Sequence, residues 1–324
     1  MKFAAIAALL GVSQAYTPLT EDDYAFMRFV SEYGRSFATQ AEYDMRAQVF
    51  KARVAEHKRH NAEPGVTSTQ GVNHLTDRTD EEIKQLLGYK EMPSKVENKT
   101  YTILDESNNG NAIDWRTKGA VTPVKDQGQC GSCWSFSTTG SMEGAHAIKT
   151  GNLVSLSESN LVDCSWLNHG CNGGMMDLAF RYAESHPLET EADYPYTPKT
   201  GIFACKYDKS KGVVGVSNYH DVTPRSASQL EAAIQHGPVS IAIEADQPVF
   251  HQYTGGVISG SKCGTSLDHG VLVVGYEPNA NPPYYIVKNS WTTQWGEKGY
   301  ARIAIEDGAG VCGIQSQPSY PDTN

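Results

Sequence analysis

Two cysteines separated by Gly-Ser stand in QGQCGSCWSF, at Cys130 and Cys133. Such a pair can be a redox couple, half of a zinc site, a crosslink, or two thiols with unrelated tasks. A redox couple of this spacing opens a helix after a buried strand, yet the preceding TPVKDQGQ is polar and turn-like. A zinc site needs a second pair at ligand spacing. Cys164 and Cys171 are too far apart for that, and no histidine pair follows. The remaining reading separates the two. Cys133 falls in the first turn of an apolar-striped segment, 132–149, predicted to be helical. Unpaired N–H groups and the helix macrodipole favour an anion there, so the thiol pKa is expected to be lowered. Cys130, just outside the helix, is free to bond elsewhere.

A thiolate nucleophile still needs a base and a group to orient it. His269 opens a predicted strand in DHGVLVVGY, and Asn289 closes another in YYIVKNSW. Strand ends let side chains project together into a cleft. Taken singly, either residue reads more plainly as a structural histidine or a turn asparagine.

These residues need elements to hold them. Apolar runs predict helices at 157–163 and 175–184 and strands at 239–245, 269–276, 283–291 and 299–305. Helices first and strands second make an α+β pattern with two sub-domains. All seven cysteines and all five tryptophans lie beyond residue 107, so the N-terminal third is a different object. That third carries a short amphipathic helix around Tyr24–Val30 and a longer charged one over 42–61. Residues 91–111 are polar, end in turn formers and read as a linker, with a glycosylation sequon at Asn98.

The chain opens MKFAAIAALLGVSQA, a charged start, a short apolar run and small residues before a cleavage point after Ala15. Residues 1–15 are therefore expected to be a signal peptide directing the chain into the secretory pathway. In an oxidising compartment most cysteines should pair, and an odd number leaves at least one over. The net charge of −10 disfavours a nucleic acid partner. No segment after the signal is long and apolar enough to span a membrane.

Taken together and in this order, QGQCGSCWSF, GCNGG, LDHGVLVVGY and KNSW resemble the papain family of cysteine proteases, and within it the cathepsin L group. The resemblance covers almost the whole chain after the signal. It implies a papain-like fold: a helical left sub-domain, a β-barrel-like right sub-domain and a cleft between them, preceded by a helical prosegment over 16–107. The mature peptidase would be 108–324, with cleavage near 107–111. Cys133 resembles the nucleophile, His269 its acid–base partner and Asn289 the group orienting it. Gln127 and the Cys133 N–H resemble the oxyanion donors, and Trp291 a shield over the His–Asn bond. The implied disulfides are Cys130–Cys171, Cys164–Cys205 and Cys263–Cys312, leaving Cys133 free.

By the same resemblance the main pocket, for the residue N-terminal to the scissile one, is walled by Met175, Met176, Ala242 and Leu267, with Gln317 at its base. Gly173, Gly174 and the Asp268 backbone would pair with substrate as an added strand. A neutral Gln317 implies preference for bulky apolar side chains over arginine. Trp291 and Trp295 mark the leaving-group side, where Thr292 replaces the family's usual glycine. The absence of an inserted histidine pair implies an endopeptidase. Glu42, Arg46, Phe50 and Asn61 match the spaced signature of the prosegment helix, although Arg53 and His57 depart from it. Gly71, Asn73 and Asp77 match the second prosegment motif, with Leu75 in place of phenylalanine. The prosegment is expected to inhibit its own enzyme until acid protonates carboxylates in the Asp77 and Glu42/Arg46 ion pairs. No cofactor or metal is expected. Expected partners are protein and peptide substrates, the prosegment and cystatin-type inhibitors. The enzyme should act as a monomer, in a lysosome-like compartment or after secretion.

Overall fold

The computed structural model describes residues 18–91, 100–198 and 205–324. The expected signal peptide over 1–15 and the sequon at Asn98 lie outside the described residues. Helix α1 (Glu21–Glu32) starts at a Thr20/Asp23 capping box, and α2 (Gln40–Asn61) starts at Thr39. They cross on an aromatic cluster of Phe26, Phe29 and Phe50, with the Phe29 and Phe50 centroids 5.0 Å apart. A short strand, β1 (Ser68–Gln70), and a short helix, α3 (Asp80–Lys84), follow.

Four of the residues singled out in this region, Glu42, Arg46, Asn61 and Asp77, make specific polar contacts. Asn61 clamps β1 to α2 by donating to the Gln70 carbonyl at 2.8 Å and accepting from its N–H at 2.9 Å. Arg46 donates to the Asp77 carbonyl at 3.0 Å and forms a two-pronged pair with Glu82. Glu42 lies 3.9 Å from Arg46, while the Asp77 carboxylate pairs with Arg35 at 3.0 Å. The sequence reading missed Glu82 as the main partner of Arg46.

Beyond residue 100, β2 (Tyr101–Thr102) and β3 (Ile113–Asp114) precede three helices: α4 (Cys133–Thr150), α5 (Glu158–Cys164) and α6 (Met176–Ser185). Then come β4 (Val216–Val222), α7 (Ala227–His236), β5 (Val239–Ile243), α8 (Pro248–His251) and β6 (Tyr253–Ile258). Four strands end the chain: β7 (His269–Glu277), β8 (Tyr284–Lys288), β9 (Tyr300–Ala304) and β10 (Ser319–Thr323). The sheet is an open path, β1-β6-β9-β8-β7-β5-β10-β4-β2, with β3 beside β7. One hydrophobic core lies among the strands and α7, and a second among α4, α5 and α6. No helix of the described residues is long and apolar enough to cross a membrane.

The N-terminal third joins this body through main-chain pairing. Strand β1 runs antiparallel to β6, Ser68 against Gly256. Gly256 has φ +81°, and any Cβ there would meet the Thr67 carbonyl oxygen at 2.2 Å, so only glycine lets the two backbones close. The expected linker is not loose where it is described. β2 pairs with β4, the Gln229 amide donates to and accepts from the Leu104 backbone, and Gln235 holds the Asn111 carbonyl at 2.8 Å. A polar composition signalled a free linker because the fixed amides that satisfy its backbone lie far away in sequence.

Candidate active site

Cys133 is the first residue of α4, and its thiol is fully buried. Cys130 is bonded to Cys171, Cys164 to Cys205 and Cys263 to Cys312, so Cys133 alone is free. The Cys133 Sγ accepts from the Gly270 N–H at 3.3 Å, which sets the start of β7 over the start of α4. The preceding residue is His269, whose Nε2 lies 2.8 Å from Asn289 Oδ1. That oxygen also accepts from the Ser290 N–H at 2.8 Å, which fixes the amide orientation. An acceptor on Nε2 requires the proton there, so Nδ1 is the basic nitrogen. Nδ1 is buried and has no protein partner. Trp291 covers the imidazole with centroids 4.6 Å apart.

Gln127 is also fully buried. Ser290 Oγ and Trp291 Nε1 donate to its Oε1 at 2.7 and 3.1 Å. The side-chain amide is thereby turned with Nε2 toward the Cys130 carbonyl at 2.7 Å, and also toward the Leu86 carbonyl of the N-terminal third, at 2.7 Å. Ser290 was not singled out from sequence, although KNSW placed it beside the residues that were.

The N-terminal third runs through the cleft. The Gly88 N–H donates to Cys133 Sγ at 3.2 Å. Gly174 N–H donates to the Gly88 carbonyl at 2.8 Å, and Lys90 N–H donates to the Gly174 carbonyl at 2.9 Å. Tyr89 N–H donates to the Asp268 carbonyl at 2.8 Å. The Tyr89 ring is buried in the cluster that holds Met175, Met176, Ala242 and Leu267. Gln317 reaches Glu91 at 3.1 Å, and Gly173 packs beside the Gly88 carbonyl. Trp295 is buried in the core that takes up Leu75, Ile83 and Leu86. Of the residues expected to line the cleft, Gly173, Gly174, Met175, Met176, Ala242, Trp291 and Trp295 are buried, while Leu267, Asp268 and Gln317 stay partly exposed.

The electrostatics differ from the sequence expectation. The helix N-terminus was expected to lower the thiol pKa. Burial instead pushes Cys133 up to about 11, against the lowering effect of hydrogen bonds from Gly270 and Gly88. Burial likewise lowers His269 to about 4, although its bond to Asn289 opposes the shift. With water excluded, both groups rest neutral, because an isolated thiolate or imidazolium is too costly there. Thr292 carries a second surprise. Its φ is +62°, a region unfavourable for a β-branched residue, which explains why glycine suits this position.

The described residues hold no group of His, Cys, Asp and Glu suited to a metal ion. Comparison with known proteins gives a consistent picture. Residues 110–322 match the papain family cysteine proteases, and residues 26–83 match the cathepsin propeptide inhibitor domain. A probable cysteine protease of Arabidopsis thaliana is 41% identical over 306 residues, spanning 91% of this chain and 67% of that protein. Cysteine proteinase 2 of Dictyostelium discoideum is 41% identical over 348 aligned residues, spanning 92% of this chain and 90% of the other. Among solved structures, digestive procathepsin L 3 of the Tenebrio molitor larval midgut superposes with a TM-score of 0.81 at 38% identity. It covers 94% of this chain and 99% of that one.

The closeness of the segment at Gly88 can be tested. A Cβ there would lie 1.8 Å from the Gly131 carbonyl oxygen and 2.7 Å from its Cα, a clash with backbone that cannot yield. Gly88→Ala should lift the segment and raise the rate at which a bulky maleimide reaches Cys133 by at least about tenfold, the effect of ~1.4 kcal/mol of lost closure. An unchanged rate would contradict this packing.

Proposed function

The chain belongs to the papain family of cysteine proteases and carries its own propeptide inhibitor domain, and from that premise we propose that it is an endopeptidase working through a Cys133 thioester. The observation that carries this reading is that the free Cys133 thiol accepts from the N–H of Gly270, next to the tautomer-fixed His269, and from that of Gly88, on the segment whose Leu86 carbonyl the Gln127 amide holds. Once the prosegment leaves, water enters and the proton on Sγ moves to His269 Nδ1. Solvent and the α4 N-terminus then favour the resulting ion pair. The thiolate attacks the peptide carbonyl carbon, and the oxygen takes the charge between Gln127 Nε2–H and the Cys133 N–H. His269 gives its proton to the leaving amine. It then draws a proton from water, which hydrolyses the thioester and returns the thiol.

The prosegment occupies these positions without being cut. An N–H, not a carbonyl carbon, faces Sγ, and the residue in the main pocket, Tyr89, lies C-terminal to Gly88. A substrate places its pocket residue N-terminal to the scissile bond, so the prosegment lies in the opposite sense. The Tyr89 hydroxyl is buried with no partner, which supports a pocket that prefers apolar side chains. The expected products are therefore fragments cut one residue beyond leucine or phenylalanine. Profiling on a peptide library should show these ahead of arginine, and Gln127→Ala should lower kcat by about 10²–10³-fold. Equal turnover with arginine, or full activity in Cys133→Ala, would contradict the reading.

Acid release of the prosegment is part of this proposal, with different groups from those first expected. Burial raises Asp77, so its protonation favours the closed form as pH falls. Glu82 has the opposite sign. Its bond to Arg46 holds it down to about 2, so its contribution is complete above the ordinary glutamate value of 4.5 and fades as pH falls toward 2. The interface histidines act earlier. His57, on α2, is buried against Gln252 at 3.1 Å, and His251 lies beside it, lowered by burial to about 3. Burial also lowers His57 and His60. Their stabilisation of the closed form is complete above the ordinary histidine value of 6.5 and is lost below it. Zymogen processing should therefore quicken as pH falls from about 6.5, and His57→Gln should move the onset to lower pH. A rate independent of pH would overturn the trigger. A trigger of this kind suits a compartment of the secretory pathway that acidifies.

A further inference from the structure

Tyr196 lies in DYPYTP, a stretch outside every motif used above. Its hydroxyl makes two contacts that meet at the proposed active site. Tyr196 Oη donates to the Gln127 carbonyl at 2.8 Å and lies 2.7 Å from Ser132 Oγ. Since the phenol proton goes to Gln127, the serine hydroxyl is the donor of the second bond. The ring packs edge-on against Phe136 in α4, centroids 4.8 Å apart. The Tyr196 N–H is held by Glu191 Oε1 at 2.8 Å.

Each contact bears on a different half of the oxyanion site. On one side, Ser290 and Trp291 fix the Gln127 amide, and the Gln127 N–H donates to the Ser290 carbonyl at 2.9 Å. Those contacts all come from the His–Asn wall, and the Gln127 carbonyl is tied on the other side by Tyr196. Ser132 is the N-cap of α4, yet its side chain makes no capping bond. A serine at that position ordinarily accepts from an N–H of the first helical turn. Here the hydroxyl points away to Tyr196, the Ser135 N–H turns to the Ser132 carbonyl at 2.8 Å, and the Trp134 N–H is left to the Cys133 thiol.

We propose that Tyr196 is a positioning residue that sets the distance between the Gln127 side-chain donor and the Cys133 backbone donor, and so tunes stabilisation of the tetrahedral oxyanion. It rests on the reading of the chain as a Cys133 peptidase. It touches neither substrate nor the reacting atoms, and it acts through Gln127 and Ser132. Burial keeps its hydroxyl protonated well above the working range, so both bonds persist at any pH the enzyme meets.

The test compares Tyr196→Phe with the parent, both processed to the active form. Acylation by a peptide ester passes through an oxyanion. Alkylation of Cys133 by iodoacetamide displaces iodide and does not. The expected result is a fall of about five- to tenfold in acylation rate and kcat, the size of one hydrogen bond, with KM within about twofold, unchanged alkylation and a Tm lowered by no more than a few degrees. Ser132→Ala removes the other arm and should give the same split. Equal acylation in parent and both variants would overturn the proposal, as would acylation and alkylation falling together. If the parent neither hydrolyses peptides nor alkylates at Cys133, the peptidase reading itself fails, which is a separate outcome.

Discussion

The burial of one thiol governs the organisation of this molecule. Cys133 sits where a helix N-terminus, the start of β7 and the prosegment meet, with no exposed surface. The N–H groups of Gly270, Gly88 and Trp134 face its sulfur, yet dehydration outweighs them and the thiol stays protonated. Inhibition is therefore more than a steric plug. The prosegment removes the water that would let the Cys133–His269 pair separate charge. The same neutral state removes the reactivity an unpaired thiol would otherwise show beside three disulfides.

Holding such a state takes two kinds of support. The walls of the cleft are fixed by the body of the protein. Asn289 and Trp291 set the imidazole, Ser290 and Trp291 set the Gln127 amide, and the Cys130–Cys171 bond holds the loop between Gln127 and Cys133. The cover is fixed at a distance. β1 adds to β6, Asn73 donates to the His251 carbonyl, and the Arg46–Glu82 pair braces α2 against α3. The cover can then leave when distant contacts fail, with the walls undisturbed, since few of their bonds depend on it.

Much of this was legible in the sequence. The helix read over 42–61 and found over 40–61, α4, and the strands at β5, β7, β8 and β9 followed from periodic apolar runs, and the cleft motifs stood in short contiguous stretches. What escaped was set by long-range packing. β4 and β10 are polar, with a proline in β10, and give no periodic apolar signal. Glu82 could not be matched to Arg46, nor Gln252 to His57, because their partners lie far apart in the chain. The sign of the Cys133 shift was misread for a related reason. A helix N-terminus is visible in sequence, whereas exclusion of water by residues 86–90 is not. Thr292 was seen as a departure, but its positive φ explains why it is one.

The central claim, that the prosegment silences the thiol by dehydrating it, can be measured on Cys133 directly. The rate of iodoacetamide alkylation should be followed against pH for the intact zymogen and for the enzyme freed of its prosegment. The account predicts a midpoint near 11 in the zymogen and one several units lower after removal. Coincident midpoints, whatever the absolute rates, would mean that the prosegment blocks access only, and would contradict it.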